Sequence, residues 1–207
     1  MGYSLAMKQT VIWIDNIVLQ EYLRRKKAKF FTQDDDFLIG MLTKQCLEKC
    51  TGEKLIAGFK ILDKYISKVQ DVTQFTFSDL ENVLKQYRAQ DEPFDFLLAQ
   101  WKGERTRASA YQAKRMLFRT EGDTSERIIT SLNNFWRQYG TRRLKIDLVL
   151  LLAGSFDTGV VHRGIKSDTF PFGRVYFLGI FSGEVCFGEL YPGIWSVRYP
   201  VSEFLPM

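Results

Sequence analysis

Apolar residues recur every three or four positions through the first three-quarters of the chain, the spacing that places side chains on one face of an α-helix. Asp34 to Asp36 open one such stretch and Gly52 follows it, as acidic first turns and terminal glycines do in helices. Asp123 precedes Glu126 by three positions, which is a capping-box pattern and marks the start of another such stretch. Gly140 marks its end. The predicted helices are 11–29, 34–51, 53–69, about 76–87, a short one after Pro93, 104–118 and 124–139.

The last quarter of the chain changes to strand patterns. Ser182-Gly183 separates two apolar runs by two residues, which predicts a β-hairpin with Phe181 opposite Glu184 and Phe177 opposite Gly188. Pro192-Gly193 occupies the central positions expected of a type II turn. Residues 174–199 are therefore predicted to form an antiparallel meander, in which Trp195 shares a face with Val197 and Tyr199.

Residues 144–152 alternate only in part, which favours a central strand and leaves a short buried helix as the alternative. A polar loop, 154–173, separates this stretch from the meander, and loops of that length in compact domains are often functional. The predicted fold class is α+β. A mainly helical N-terminal region over 1–142 is followed by a small antiparallel β-meander region over 143–207, and the two together form one compact unit.

The strand predicted over 175–181 is apolar on both faces, so both faces must be covered. Helices of the same chain can cover them, or a partner can cover one, since exposed apolar patches mark interaction sites. We expect a homo-oligomer, or a protein partner bound through the C-terminal sheet.

Composition restricts the compartment. The chain has 207 residues, 45% of them hydrophobic, and no uncharged apolar run of the length that spans a bilayer. Its N-terminus lacks the pattern of a secretion signal. We therefore expect a cytoplasmic protein, or a nuclear one in a eukaryotic host, without a transmembrane segment.

The three cysteines favour structural thiols. Cys46 and Cys50 lie four positions apart on a predicted helix, which suggests two thiols on one buried face. A metal site would require two more ligands, and the single histidine, His162, is far away in sequence. The glycines near His162 match neither a P-loop nor a dinucleotide fingerprint. No metal or cofactor is expected.

The net charge of +5 is spread over basic clusters, which are the strongest functional signal. One cluster lies on the predicted helix 104–118, where cations and an aromatic ring at three- and four-residue steps suit phosphate contacts and base stacking. The alternative is a solvated helix face. The candidate nucleic-acid-binding residues are Arg105, Arg107, Tyr111, Lys114, Arg115, Arg24, Arg25, Lys26 and Lys27.

The leading hypothesis is a non-enzymatic protein that binds nucleic acid or another polyanion and assembles through its sheet. A replication or transcription accessory factor fits this description, as does a structural protein of a virus or mobile element. The alternative is an enzyme that acts on phosphodiesters through the 154–173 loop, with His162, Asp157 and Asp168 as candidate catalytic residues.

Asp157-Thr158-Gly159 is also the tripeptide that carries the catalytic carboxylate of aspartic proteases. That chemistry requires two carboxylates that share a proton, and hence two lobes or a dimer. The residues after 144 are too few for a complete lobe, so the tripeptide is better explained as a turn.

Overall fold

The computed structural model of the 207-residue chain describes residues 9–14, 34–62, 94–102, 105–117, 124–140 and 143–204. The helices in these ranges are α1 (Asp34–Thr51), α2 (Thr124–Tyr139) and α3 (Thr158–Gly164). None of them is long and apolar enough to cross a membrane. The strands of the same ranges are β1 (Gln9–Ile14), β2 (Leu55–Leu62), β3 (Phe96–Lys102), β4 (Arg105–Leu117), β5 (Ile146–Ala153), β6 (Val175–Phe181), β7 (Glu184–Tyr191) and β8 (Trp195–Pro200).

The described residues divide into two compact units. The first extends to Ala108, without Phe94, and contains β1, β2 and β3, paired antiparallel in that order. Helix α1 packs on β2 and β3 at Gly40, where an added Cβ would lie 2.5 Å from Cε1 of Phe59. Only a residue without a side chain permits this close approach of the helix to the Phe59 and Phe96 rings.

The second unit extends from Ser109 to the end of the chain and includes Phe94. Strand β5 lies between β4 and β6 and runs parallel to both. Strands β6, β7 and β8 continue the sheet as antiparallel neighbours. Parallel neighbours require crossover connections, and α2 and α3 occur in the connections that lead into and out of β5.

The predicted fold class was wrong. The protein is dominated by strands and includes parallel pairs, whereas the pattern analysis predicted a helical region followed by a small antiparallel meander. Three predicted helices, 53–69, the one after Pro93 and 104–118, are replaced by β2, β3 and β4, and the start of the predicted helix 11–29 is β1. Strands β2, β3 and β4 are buried on both sides in part, so their apolar residues do not alternate and imitate helical spacing.

Two of the predicted helices are confirmed. Helix α1 covers 34–51, and Gly52 after it has a φ of +71°. Helix α2 covers 124–139, and Gly140 has a φ of +75°. Ile128 and Leu132 on α2 are buried, and the Phe135 ring meets the Phe172 ring edge-on at 5.8 Å. The predicted helix 76–87 and the Trp136 side chain lie outside the described residues.

The meander at the end of the chain is confirmed, together with its first turn. Phe181 pairs with Glu184 and Phe177 with Gly188, while Ser182 and Gly183 both have positive φ, as a type I′ hairpin turn requires. The type II turn was wrong. The Tyr191–Pro192 peptide bond is cis, and Gly193 is not among the described glycines with positive φ.

The strand predicted over 144–152 is confirmed as β5, although both of its neighbours are parallel. The 154–173 loop contains α3 and a 3-10 turn at Ser167–Thr169. Most of β6 is buried on both faces, as expected, but Ile180 is 51% exposed. Cys46 is buried and Cys50 is exposed, so the pair does not share a buried face.

Candidate functional site

A row of polar and aromatic side chains crosses one face of the second unit. Tyr111 pairs with Asp147 across β4 and β5, Tyr176 pairs with Glu189 across β6 and β7, and Glu189 pairs with Trp195 across β7 and β8. Residues in register on neighbouring strands point to the same side of a sheet. We call these five residues the polar row. Asp147 and Tyr176 lie near the amino ends of β5 and β6, and Tyr111 lies near the start of the part of β4 that pairs with β5.

Glu189 anchors the end of the row. It is only 7% exposed, and its Oε1 accepts a hydrogen bond from the backbone N–H of Gly193 at 2.8 Å. Its Oε2 accepts a hydrogen bond from Nε1 of Trp195 at 3.3 Å. The indole also meets the Phe187 ring edge-on at 5.7 Å and stays 37% exposed. Glu189 thus fixes an aromatic ring that is accessible to solvent.

Arg174 precedes β6 and interacts with the same carboxylate through its charge. Its Nη1 donates a hydrogen bond to the hydroxyl of Tyr176 at 3.1 Å. This hydrogen bond, together with the charges of Tyr176, Glu189 and Asp147, raises the pKa of Arg174. Tyr176 is held from its other side by the Phe187 ring, stacked at 5.7 Å. The Glu189 carboxylate therefore accepts a hydrogen bond from the Trp195 indole and interacts with the Arg174 guanidinium through its charge.

Asp147 is the most perturbed carboxyl group of the row. Burial raises its pKa from the ordinary 3.8 to about 6, and Glu189 adds to the rise, while Arg174 opposes it through its charge and its backbone N–H. Burial likewise raises the pKa of Tyr111, whose ring lies 6.4 Å from that of Tyr176. Strongly perturbed groups that converge at one place are characteristic of functional sites.

Three exposed cations precede β5 and β6, the strands that carry Asp147 and Tyr176. Arg143 and Lys145 precede β5, and backbone hydrogen bonds from Leu144 to Pro171 and from Gly173 to Ile146 hold this segment beside the one that leads to Arg174. All three cations are exposed. Ile194, 48% exposed, precedes Trp195. We call these residues the amino-edge surface: Arg143, Lys145, Arg174, Ile194 and Trp195.

The candidate catalytic residues of the 154–173 loop have structural contacts. Asp157 is the N-cap of α3, and its Oδ1 accepts a hydrogen bond from the Val160 N–H at 2.9 Å. Nδ1 of His162 donates to the carbonyl oxygen of Leu190 at 2.8 Å. Asp168 is exposed and accepts a hydrogen bond from the Ser167 hydroxyl. In the described part of the chain, no hydrogen bond or ion pair joins His162 to either aspartate.

The candidate binding residues of 104–118 do not share a helix face, because the segment is strand β4. Tyr111 is 5% exposed, Arg107 and Arg115 are exposed, and Nζ of Lys114 lies 5.7 Å from the centre of the Tyr139 ring. Tyr111 and Lys114 point to opposite faces of the strand. The Arg105 side chain and Arg24, Arg25, Lys26 and Lys27 lie outside the described residues.

The sequence pattern did not predict that Arg174, Glu189 and Trp195 interact. The predicted hairpin register already places Tyr176 opposite Glu189, so this pair could be predicted from the sequence. The predicted type II turn would place Tyr191 opposite Ile194 and so Glu189 opposite Ser196. The observed three-residue connection places Glu189 opposite Trp195. A shift of one residue moves every side chain to the other face of the sheet.

Comparisons with known proteins do not identify a family for this chain. No family model, no curated protein and no solved structure matches the chain. The functional interpretation therefore depends on the described side chains.

Proposed function

We propose that the protein binds a polyanion on the amino-edge surface, and that single-stranded nucleic acid is the form that fits best. The observation that carries the proposal is the Trp195 indole, held by the Glu189 carboxylate and still 37% exposed. An exposed aromatic ring of fixed orientation is a platform on which an unpaired base can stack. A duplex keeps its bases stacked on one another and offers no such face.

The charges around the ring support a nucleic acid rather than a neutral ligand. Arg143, Lys145 and Arg174 are exposed, whereas Glu189 is buried and both of its oxygens accept hydrogen bonds within the protein. The Glu189 carboxylate therefore orients the aromatic ring, and the three cations are exposed to the solvent. Cations beside a stacking ring are the usual combination in proteins that bind single strands.

The proposal moves the binding residues but keeps the function expected from the basic composition. Arg115, in the second unit, remains exposed on β4 and can extend the contact with a longer strand. The enzymatic alternative has less support, because the His162 ring donates its hydrogen bond to a main-chain carbonyl oxygen and Asp157 caps a helix.

We also propose that the protein assembles through the edge of its sheet and is located in the cytoplasm or the nucleus. In the described part of the chain β8 pairs with β7 alone, and an edge strand offers backbone groups to a second copy or to a protein partner. Ile180, 51% exposed, adds an apolar contact. Cys46, Cys50 and Cys186 form no disulfide, which suits the cytoplasm or the nucleus. Light scattering on the purified protein would measure the mass of the assembly.

The test measures fluorescence anisotropy of a labelled oligothymidylate between about 50 and 200 mM salt. Arg174→Gln should lower the slope of log affinity against log salt by about 0.7, the value for one phosphate contact on a single strand. Trp195→Ala should weaken binding by about 1–3 kcal/mol and leave the slope nearly unchanged.

Arg198→Gln is the matched control, because Arg198 is an exposed arginine that pairs with Cys186 near the opposite ends of the same strands. Its affinity and its salt slope should equal those of the unmodified protein. Normal binding by Arg174→Gln and Trp195→Ala, together with a loss in Arg198→Gln, would remove the amino-edge surface as the site.

A further inference from the structure

A cavity of about 320 Å³ lies at the carboxyl end of β5. Four segments line it: the residues that follow β5, the first residue of α3, the hairpin between β6 and β7, and β8. This volume is at the lower end of the range for small-molecule sites. It corresponds to roughly ten water molecules at ~30 Å³ each, which is room for a small organic molecule.

One wall of the cavity is aromatic and rigid. The Phe156 and Phe177 rings meet edge-on, with centroids 5.2 Å apart and an interplanar angle of 89°. Phe177 lies over Gly188, where an added Cβ would lie 2.6 Å from the Phe177 ring. The ring thus covers bare backbone and is held in one orientation. Such a wall suits a flat apolar ligand body.

The other wall is polar, and its groups are available to a ligand. Ser155, Ser182 and Ser196 line the cavity and are exposed, so each brings a hydroxyl group within reach of a ligand. The Arg198 side chain is 71% exposed, and its Nη1 lies 3.6 Å from the Glu184 carboxylate. Hydroxyl and guanidinium groups are the donors that bind oxyanions.

The charge on this wall limits the net charge of a ligand that can bind there. Arg198 supplies one positive charge, and Glu184 at 3.6 Å partly compensates it. Among the described residues that line the cavity Arg198 is the one cation, so a doubly charged phosphate would be less well neutralised there and would be repelled by Glu184. A single carboxylate matches the planar fork of one guanidinium. A neutral molecule would leave the fork unused.

Cys186 forms part of the lining and is 6% exposed. Burial raises the pKa of its thiol, and the Arg198 charge opposes this rise. A thiol kept protonated is a poor nucleophile. Cys186 therefore contributes shape to the cavity, and ligand binding there is noncovalent.

We propose that this cavity, which we call the carboxyl-edge cleft, binds a small organic monocarboxylate with a flat apolar body. The carboxylate pairs with Arg198 and accepts hydrogen bonds from the serine hydroxyls, and the apolar body packs on Phe156 and Phe177. The proposal is independent of polyanion binding, since the two surfaces share no residue, and Ser196 and Arg198 point to the opposite face of β8 from Trp195.

The experiment titrates the whole protein with phenylacetate and with its neutral analogue phenylacetamide, and follows backbone amide shifts by NMR. Phenylacetate should shift the amides of Ser155 and Ser196 in a saturable manner. Phenylacetamide should bind about tenfold or more weakly, because it forms no charge-assisted hydrogen bond with Arg198.

Arg198→Gln should weaken phenylacetate binding by about tenfold or more, and phenylacetamide binding should change by less than about twofold. Arg174→Gln, the control at the other edge, should bind phenylacetate normally. Equal binding of acid and amide would overturn the proposal, as would normal phenylacetate binding by Arg198→Gln. It is also overturned if neither phenylacetate nor the larger 1-naphthylacetate shifts these amides at about 10 mM, a concentration far above the Kd of a specific site.

Discussion

Glu189 and Trp195 are joined across the connection between β7 and β8, with the carboxylate buried and the indole exposed. Oε2 of Glu189 accepts a hydrogen bond from the indole N–H, and Oε1 accepts one from the backbone N–H of Gly193. One acidic side chain therefore determines both the shape of the turn and the orientation of the ring.

Replacing Glu189 should release the ring. Glu189→Leu leaves two donors without their acceptor, and we expect the free energy of unfolding to fall by about 2–3 kcal/mol. Glu189→Gln keeps one carbonyl oxygen as an acceptor and should lose less than half as much. Urea unfolding of the two variants beside the unmodified protein measures the difference. A larger loss in the Gln variant than in the Leu variant would contradict this account of the turn.

Asp147 should make the free energy of unfolding fall as the pH rises. Its pKa is about 6 in the folded protein, against the ordinary 3.8, so the unfolded chain ionises first as the pH rises. The contribution of this group to stability is full below about pH 3.8 and is lost as the pH rises through about 6.

Asp147→Asn should therefore stabilise the protein by about 1–3 kcal/mol at pH 8, since the amide oxygen can still accept the Arg174 N–H without a buried charge. The gain should disappear near pH 4. Urea unfolding at both pH values tests this, with the exposed Asp168→Asn as the control. A stability profile that is unchanged by Asp147→Asn would show that the aspartate is solvated in the folded state.

Gly40 should tolerate no side chain. A Cβ there would lie 2.5 Å from Cε1 and 2.8 Å from Cζ of Phe59, so Gly40→Ala must displace α1 or the ring. We expect a loss of about 1–3 kcal/mol in the free energy of unfolding. Cys50→Ala, at an exposed position of the same helix, should be nearly neutral. Recovery of stability in the double variant Gly40→Ala, Phe59→Leu would identify the clash as the cause.

The three thiols should react with a thiol reagent at very different rates. Cys50 is exposed, whereas burial raises the pKa of Cys46 to about 12. Only the thiolate reacts, so we expect Cys50 to be modified first, Cys186 slowly through the carboxyl-edge cleft, and Cys46 only on unfolding. Mass spectrometry of partly modified protein assigns the order. Early modification of Cys46 would mean that α1 opens readily.

The two helices and the hairpin could be predicted because their signals are local. Helix α2 has an acidic first turn, a wide apolar stripe and a glycine directly after it, and Ser182-Gly183 fits a two-residue turn. Each of these signals acts within a few residues, and neighbouring elements do not change its meaning.

Strand β4 could not be predicted from local signals. Its sequence, RTRASAYQAKRML, is rich in strong helix formers, yet it pairs with β5 and buries Ala110, Tyr111, Gln112 and Ala113 in succession. Pairing with a buried parallel neighbour decides its conformation, and the intrinsic preference of the segment is overridden. The predicted basic helix face was wrong for the same reason. Helical spacing would place Lys114 and Tyr111 on one face, whereas in a strand they point to opposite faces.

The mixed pairing of the second unit has a consequence for how the chain reaches its folded state. Phe181 pairs with Glu184 across one turn, whereas Ala110 pairs with Ile146 only after a connection that includes α2. Closing a short loop loses less entropy than closing a long one, so we expect β6–β8 to form early and β4 to join β5 late. A conservative change such as Val185→Ala should then slow refolding, and Ala113→Gly should mainly speed unfolding, which stopped-flow chevron plots would resolve.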